Sequence, residues 1–221
     1  ETSNFKGFQS PQGNQPTFSL FNSYNYVEEQ CCNLKKYFFQ RFGYYTSNYE
    51  DAVQNFIASL AGYSLLCYFL EIRDRNNGNI LVDSKGHLIH IDFGFILNRS
   101  PGNMEFENAP FKLLTDFVEI LQGENSSLFS QFQDTFFNGF NCIRQNSEVF
   151  ISFVEIYCHL LHDLDAFKGK NKVIQKLKDK FFFDIKDETL LKEKTNELIK
   201  KCIGNWRTNA YDKFQKYCVG V

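Results

Sequence analysis

The sequence has no excess of charge of either sign. Its 24 Lys and Arg face 26 Asp and Glu, a formal net charge of -2, which excludes a protein that coats nucleic acid through general basicity. No Cys-x-x-Cys pair occurs among the seven cysteines. Their odd number, and apolar settings such as Cys67 in "LLCYFL", predict reduced intracellular thiols that pack as small hydrophobes. There is no signal-peptide pattern. No apolar run is long enough to span a bilayer: "LAGYSLLCYFL" at 60–70, the longest, contains Gly62 and Ser64 and predicts a buried helix. Internal repeats are absent, and so is a glycine-rich loop that could cradle phosphate. The chain opens with Glu1 rather than methionine, which predicts that further sequence precedes it.

What is present is enough apolar material for one good core, or at most two small ones, at 221 residues and 43% hydrophobic. Lysines gather late in the chain. Residues 168–201 hold eleven Lys against six acids, so the remainder carries the opposite balance. A solvated helical face is the plain reading of such a run, and contact with an anionic lipid surface is the functional one.

The lead-in, residues 1–25, is rich in Ser, Asn, Gln, Gly and Pro without periodicity and is predicted as loop or disorder, with the domain proper placed from residue 31. A helix is predicted from Val27 to Phe42, stopped by Gly43. Ser47 and Asn48 are placed to cap the next helix, with Glu50 and Asp51 in its first turn. Its apolar positions Val53, Phe56, Ile57 and Leu60 follow the 3.6-residue period to about Leu70. The period then shifts to two. "NILVD" and "HLIHID", separated by "SKG", predict a hairpin turning at Gly86. Residues 94–114 are broken by Pro101, Gly102 and Pro110 into a long loop, a length that usually signals function. Beyond Thr115 helices are expected at 115–122, 126–146, 148–163, 170–182, 187–202 and 206–219. The fold class is therefore α+β, mainly α, with one hairpin and one long loop at the same edge.

Chemistry concentrates in "EIRDRNNGNILVDSKGHLIHIDFGFIL" at 71–97. A loop aspartate, Asp74, can accept the proton of an attacking hydroxyl. Asn79, five residues on, and Asp92, opening the next loop, can hold Mg²⁺ between phosphates, because magnesium favours hard oxygen donors. The hairpin between them fixes their separation. Aspartates and asparagines also cap turns, and either motif alone would be explained that way. Their combination with a hairpin and a long loop favours phosphoryl transfer.

The stretch "IRDRNNGNILVDSKGHLIHIDFGFILNRSPGNMEFENAPFKLLTDFVEIL" resembles the catalytic region of phosphatidylinositol 4-kinases, type III beta-like. The resemblance extends over about residues 34–217. It implies that residues 31–221 are the carboxy-terminal lobe of a protein-kinase-like domain, using ATP with Mg²⁺ or Mn²⁺ on phosphatidylinositol in a membrane surface. It further implies an amino-terminal lobe elsewhere in the protein, small regulatory proteins as partners, and a cytoplasmic, peripheral location on Golgi-like intracellular membranes. Nucleic acid is not an implied partner. Asp74 matches the catalytic aspartate, Asn79 a metal ligand and Asp92 the DFG-type metal ligand. Leu81 and Ile91 match the floor of the adenine pocket. Arg99 and Lys112 lie in the matching substrate loop, where Glu105 and Glu107 offset them; that balance suits an unphosphorylated headgroup. One departure stands out. The family histidine after Asp-Arg is Asn76 here, and asparagine takes up no proton at neutral pH. Losing acid–base assistance costs about 10²–10⁴-fold in rate, so a pseudokinase or scaffold module is the alternative reading.

Other candidates have plainer explanations. His87 and His90 fall on opposite strand faces and cannot chelate together; His90 is expected to be a structural neighbour of Asp92. Cys158, His159 and His162 read as an ordinary helix-surface cluster lacking a fourth ligand. The 26 phenylalanines are expected in the core, and Trp206 in the packing of the last helix.

Overall fold

The computed structural model describes Phe18–Ser19, residues 33–97, Arg99 and residues 109–203. Helix α1, Leu34–Phe42, is capped by Asn33, whose Oδ1 accepts the Lys36 amide at 3.0 Å. The stretch from Val27 to this cap lies outside the described residues. Gly43 ends the helix as expected, at φ 92°, with its N–H on Phe39 O. Helix α2, Ser47–Leu70, begins one residue earlier than its expected caps would allow. Thr46 is the cap: its extended backbone lets Oγ1 accept the Tyr49 amide at 3.2 Å, while Ser47 is already helical.

Helix α2 is long and apolar enough to cross a membrane by composition, yet 56% of its most apolar window is buried inside the domain. It is the core helix. Phe56, Ile57, Leu60 and Phe69 are among its buried side chains. Around it lie α3 (Thr115–Ile120), α4 (Ser127–Gln145), α5 (Ser147–Leu160), α6 (Lys170–Asp179) and α7 (Glu188–Cys202), within a few residues of expectation. The expected helix at 206–219, with Trp206, lies outside the described residues. Phenylalanine fills the core. Phe69 packs against Phe140 at 5.5 Å and Phe181 at 4.8 Å, and Phe56 meets Phe38 and Phe117, each at 5.5 Å. Such pairs add about 0.5–1.5 kcal/mol each beyond the area they bury.

Strands β2 (Ile80–Val82) and β3 (Leu88–His90) form the expected antiparallel hairpin, with Ile80 opposite His90 and Val82 opposite Leu88. Strand β1, Phe18–Ser19, pairs with the other edge of β2. The lead-in was expected to be irregular throughout, and this two-residue strand departs from that. An open edge of β2 offers backbone groups that a passing extended segment can satisfy.

The hairpin is fixed onto α2. Ser59 Oγ accepts the Leu88 amide at 2.9 Å, and Asn55 Nδ2 donates to Lys85 O at 2.9 Å. Gly86 turns at φ 90° hard against the helix, where a Cβ would come within 2.7 Å of Ala52 O. Only glycine permits both that angle and that approach. Helix α5 is apolar on both sides: Val154 and Cys158 face inward, while Val149, Phe153, Ile156 and Leu160 are exposed.

Candidate active site

The first loop of the site leaves α2 through Glu71, which takes a left-handed conformation at φ 49°. Asp74 is also left-handed, at φ 59°, and so is Asp92 at φ 55°. For a residue with a Cβ this costs about 1–2 kcal/mol, and such strain concentrates where side chains must be aimed.

Asn76 organises the first loop. Its Oδ1 caps the short 3₁₀ turn Asn77–Asn79, accepting the amides of Gly78 at 2.8 Å and Asn79 at 3.1 Å. Its Nδ2 donates to Asp74 Oδ1 at 3.2 Å. Asn79 donates through Nδ2 to Asp74 O at 2.9 Å. The Ile91 amide bonds to Asn79 O at 3.0 Å. This continues the hairpin ladder by one step and brings Asn79 opposite the residue before Asp92. Asp92 is exposed, and its Oδ1 accepts the Gly94 amide at 3.1 Å. Asp74, Asn76, Asn79 and the start of the Asp92 loop thus share one end of the hairpin.

The remaining candidates divide. Leu81 is half-buried and Ile91 is 40% exposed, as apolar residues flooring an open cleft would be. Arg99 is exposed, its Nη1 3.4 Å from Gly94 O and its guanidinium 5.2 Å from the Phe95 ring. Lys112 is different. It is buried, and Nζ donates to Asn77 Oδ1 at 3.0 Å. It ties the end of the long loop to the Asp74–Asn79 loop instead of standing on the loop surface beside Arg99. Glu105 and Glu107 lie outside the described residues.

His90 is buried, stacked on Tyr63 at 4.3 Å, with Nδ1 3.7 Å from Cys67 Sγ. Burial, helped by the positive charges of Arg75 and Lys112, pushes its pKa down to about 3. It is a neutral structural group, and its ring contacts are Tyr63 and Cys67. His87 pairs with Asp83 at 2.9 Å. It lies just before β3, at the turn of the hairpin, and has no contact with His90 among those described. Cys158 is buried while His159 and His162 are exposed, and no group of three metal-binding His, Cys, Asp or Glu is present among the described residues.

One residue drew no attention in the sequence. Arg75 is almost fully buried and donates to three backbone carbonyls, those of Arg73, Ile91 and Asp92. No periodicity marks it, and its only signal is its place directly after Asp74.

A mainly helical lobe with a loop carboxylate, a capping asparagine and a second carboxylate across a hairpin defines the C-terminal lobe of a kinase-like domain. Residues 4–160 match the family described as phosphatidylinositol 3- and 4-kinase, and the chain belongs to that family. It is 42% identical over 189 residues to phosphatidylinositol 4-kinase PIK1alpha of Candida albicans, covering 85% of this chain and 19% of that protein. Against phosphatidylinositol 4-kinase beta 2 of Arabidopsis thaliana it is 38% identical, covering 86% of this chain and 17% of that protein. Against phosphatidylinositol 4-kinase beta of Rattus norvegicus it is 35% identical, covering 94% and 25%. The chain therefore spans a quarter or less of these relatives' length.

Proposed function

We propose that this chain is the C-terminal lobe of a phosphatidylinositol 4-kinase, transferring the γ-phosphoryl group of ATP to the inositol 4-hydroxyl. The observation that carries the reading is the gathering of Asp74, Asn76, Asn79 and Asp92 at one end of the hairpin. Asp74 is the base, held by Asn76, that accepts the proton of the attacking hydroxyl. Asn79 Oδ1 and the Asp92 carboxylate are hard oxygen donors suited to Mg²⁺, which is commonly bound through one or two carboxylates plus substrate phosphates. When bound, the metal neutralises charge on the transferred group. Leu81 and Ile91 form the apolar floor for adenine, and exposed Arg99 lies on the side of the substrate headgroup. The amino-terminal lobe of the same protein closes the cleft. The site works at the cytoplasmic face of a Golgi-like intracellular membrane, with small regulatory proteins as further partners.

A second reading, a pseudokinase, is favoured by one observation. Both ends of the Asn76 amide are committed to the loop itself, and asparagine offers no proton exchange at this position. The two readings separate in an assay of the full-length protein carrying this chain, with phosphatidylinositol vesicles, ATP and Mg²⁺. The kinase reading expects slow but measurable turnover, lost in Asp92→Asn and raised at least ~10-fold in Asn76→His. No turnover in the parent, with no rescue by Asn76→His, would establish the pseudokinase.

A further inference from the structure

Arg75 is the least exposed charged side chain among the described residues, at 2%. A guanidinium withdrawn from water must have its donors answered, and here three backbone carbonyls take one bond from each of its nitrogens. Nε donates to Arg73 O at 3.1 Å, Nη1 to Ile91 O at 2.7 Å, and Nη2 to Asp92 O. The Phe93 ring covers the group at 5.5 Å from Cζ.

The choice of carbonyls matters. Those of Ile91 and Asp92 belong to the two peptide groups on either side of the Asp92 Cα. One planar, rigid fork holds both, so it fixes the left-handed φ of 55° at Asp92 and the direction in which the carboxylate leaves the chain. The same fork reaches back to Arg73, one residue before Asp74. The two carboxylates of the site are therefore set against each other through a single side chain.

We propose that Arg75 is a positioning residue that aims the Asp92 carboxylate at the metal position. This rests on the reading of Asp92 as a metal-holding group. Lysine, with a point charge and no fork, cannot span both carbonyls in the same geometry. A residue that merely stabilised the fold would change melting temperature and overall rate, leaving the metal requirement alone.

The test uses the full-length protein carrying this chain, as wild type, Arg75→Lys and Arg75→Gln. Phosphorylation of phosphatidylinositol vesicles is followed against free Mg²⁺, with thermal melts and amide hydrogen exchange alongside. The Mg²⁺ concentration giving half-maximal rate should rise at least ~10-fold in Arg75→Gln, the scale seen when partners of metal ligands are removed. The phosphatidylinositol KM should hold, and Arg75→Lys should fall between. Exchange at the Arg73, Ile91 and Gly94 amides, which bond to Phe95 O, Asn79 O and Asp92 Oδ1, should quicken in both variants. A Mg²⁺ midpoint within twofold of wild type overturns the proposal, as does failure of both variants to fold. If the wild type shows no turnover, the kinase reading fails separately, and exchange decides: unchanged protection of the Arg73, Ile91 and Gly94 amides overturns the clamp.

Discussion

The Asn76 side chain holds the Asp74 carboxylate, Nδ2 donating to Oδ1 at 3.2 Å, while its own oxygen caps the turn that carries Asn79. A position expected to matter for proton handling thus has a second, architectural duty. Asn76→Ala removes the cap and the donor to Asp74 together. The cap alone contributes about 1 kcal/mol, so a modest drop in melting temperature should accompany a fall in rate of at least ~10-fold. Steady-state kinetics of the full-length protein with melts of the same preparation check this. A variant with wild-type rate would remove Asn76 from the site.

His90 predicts a pH effect on stability. Its folded pKa is depressed to about 3, against about 6.5 in an unfolded chain. Above pH 6.5 the ring is neutral in both states. Below it, the unfolded chain binds a proton that the folded chain refuses, so stability falls as pH drops from 6.5 toward 3. The slope approaches about 1.4 kcal/mol per pH unit. Melts between pH 7 and 5 should show this decline, and His90→Gln should flatten it. Identical slopes would mean that His90 is protonated in the fold.

Two glycines with nearly the same backbone angle should respond differently. Gly86 at φ 90° meets Ala52, whereas Gly123 at φ 93° has open space where a Cβ would be. Gly123→Ala should cost about 1 kcal/mol from backbone strain alone. Gly86→Ala adds a clash with α2 backbone and should cost at least ~2 kcal/mol. It should also lower activity, by lifting the hairpin from its seat. Denaturant melts of both variants provide the comparison, and equal losses would show that the hairpin is not held against α2.

Elements with a strong period were legible from sequence, because burial of one face repeats along the chain. Helix α2 and the hairpin are of that kind. The cap of α2 was not, since Thr46, Ser47 and Asn48 are three adjacent capping residue types and only the backbone angle at Thr46 selects among them. Lys112 reads locally as an exposed cation. Its burial depends on Asn77, thirty-five positions away, and no local pattern encodes that meeting. Arg75 is the same problem in a sharper form: its partners are carbonyls, which every residue has. Strand β1 has no signature because it borrows its order from the edge of β2.

The left-handed backbone at Asp74 and Asp92 governs how inactive variants of this protein should be made. Asparagine enters that region about as readily as aspartate, while alanine, valine and leucine do not. An Asp→Asn exchange therefore changes charge and leaves the chain path alone. Replacement by an aliphatic residue changes both at once, so a lost activity could not be assigned to the missing carboxylate rather than to a displaced loop. At these two positions the amide is the interpretable control.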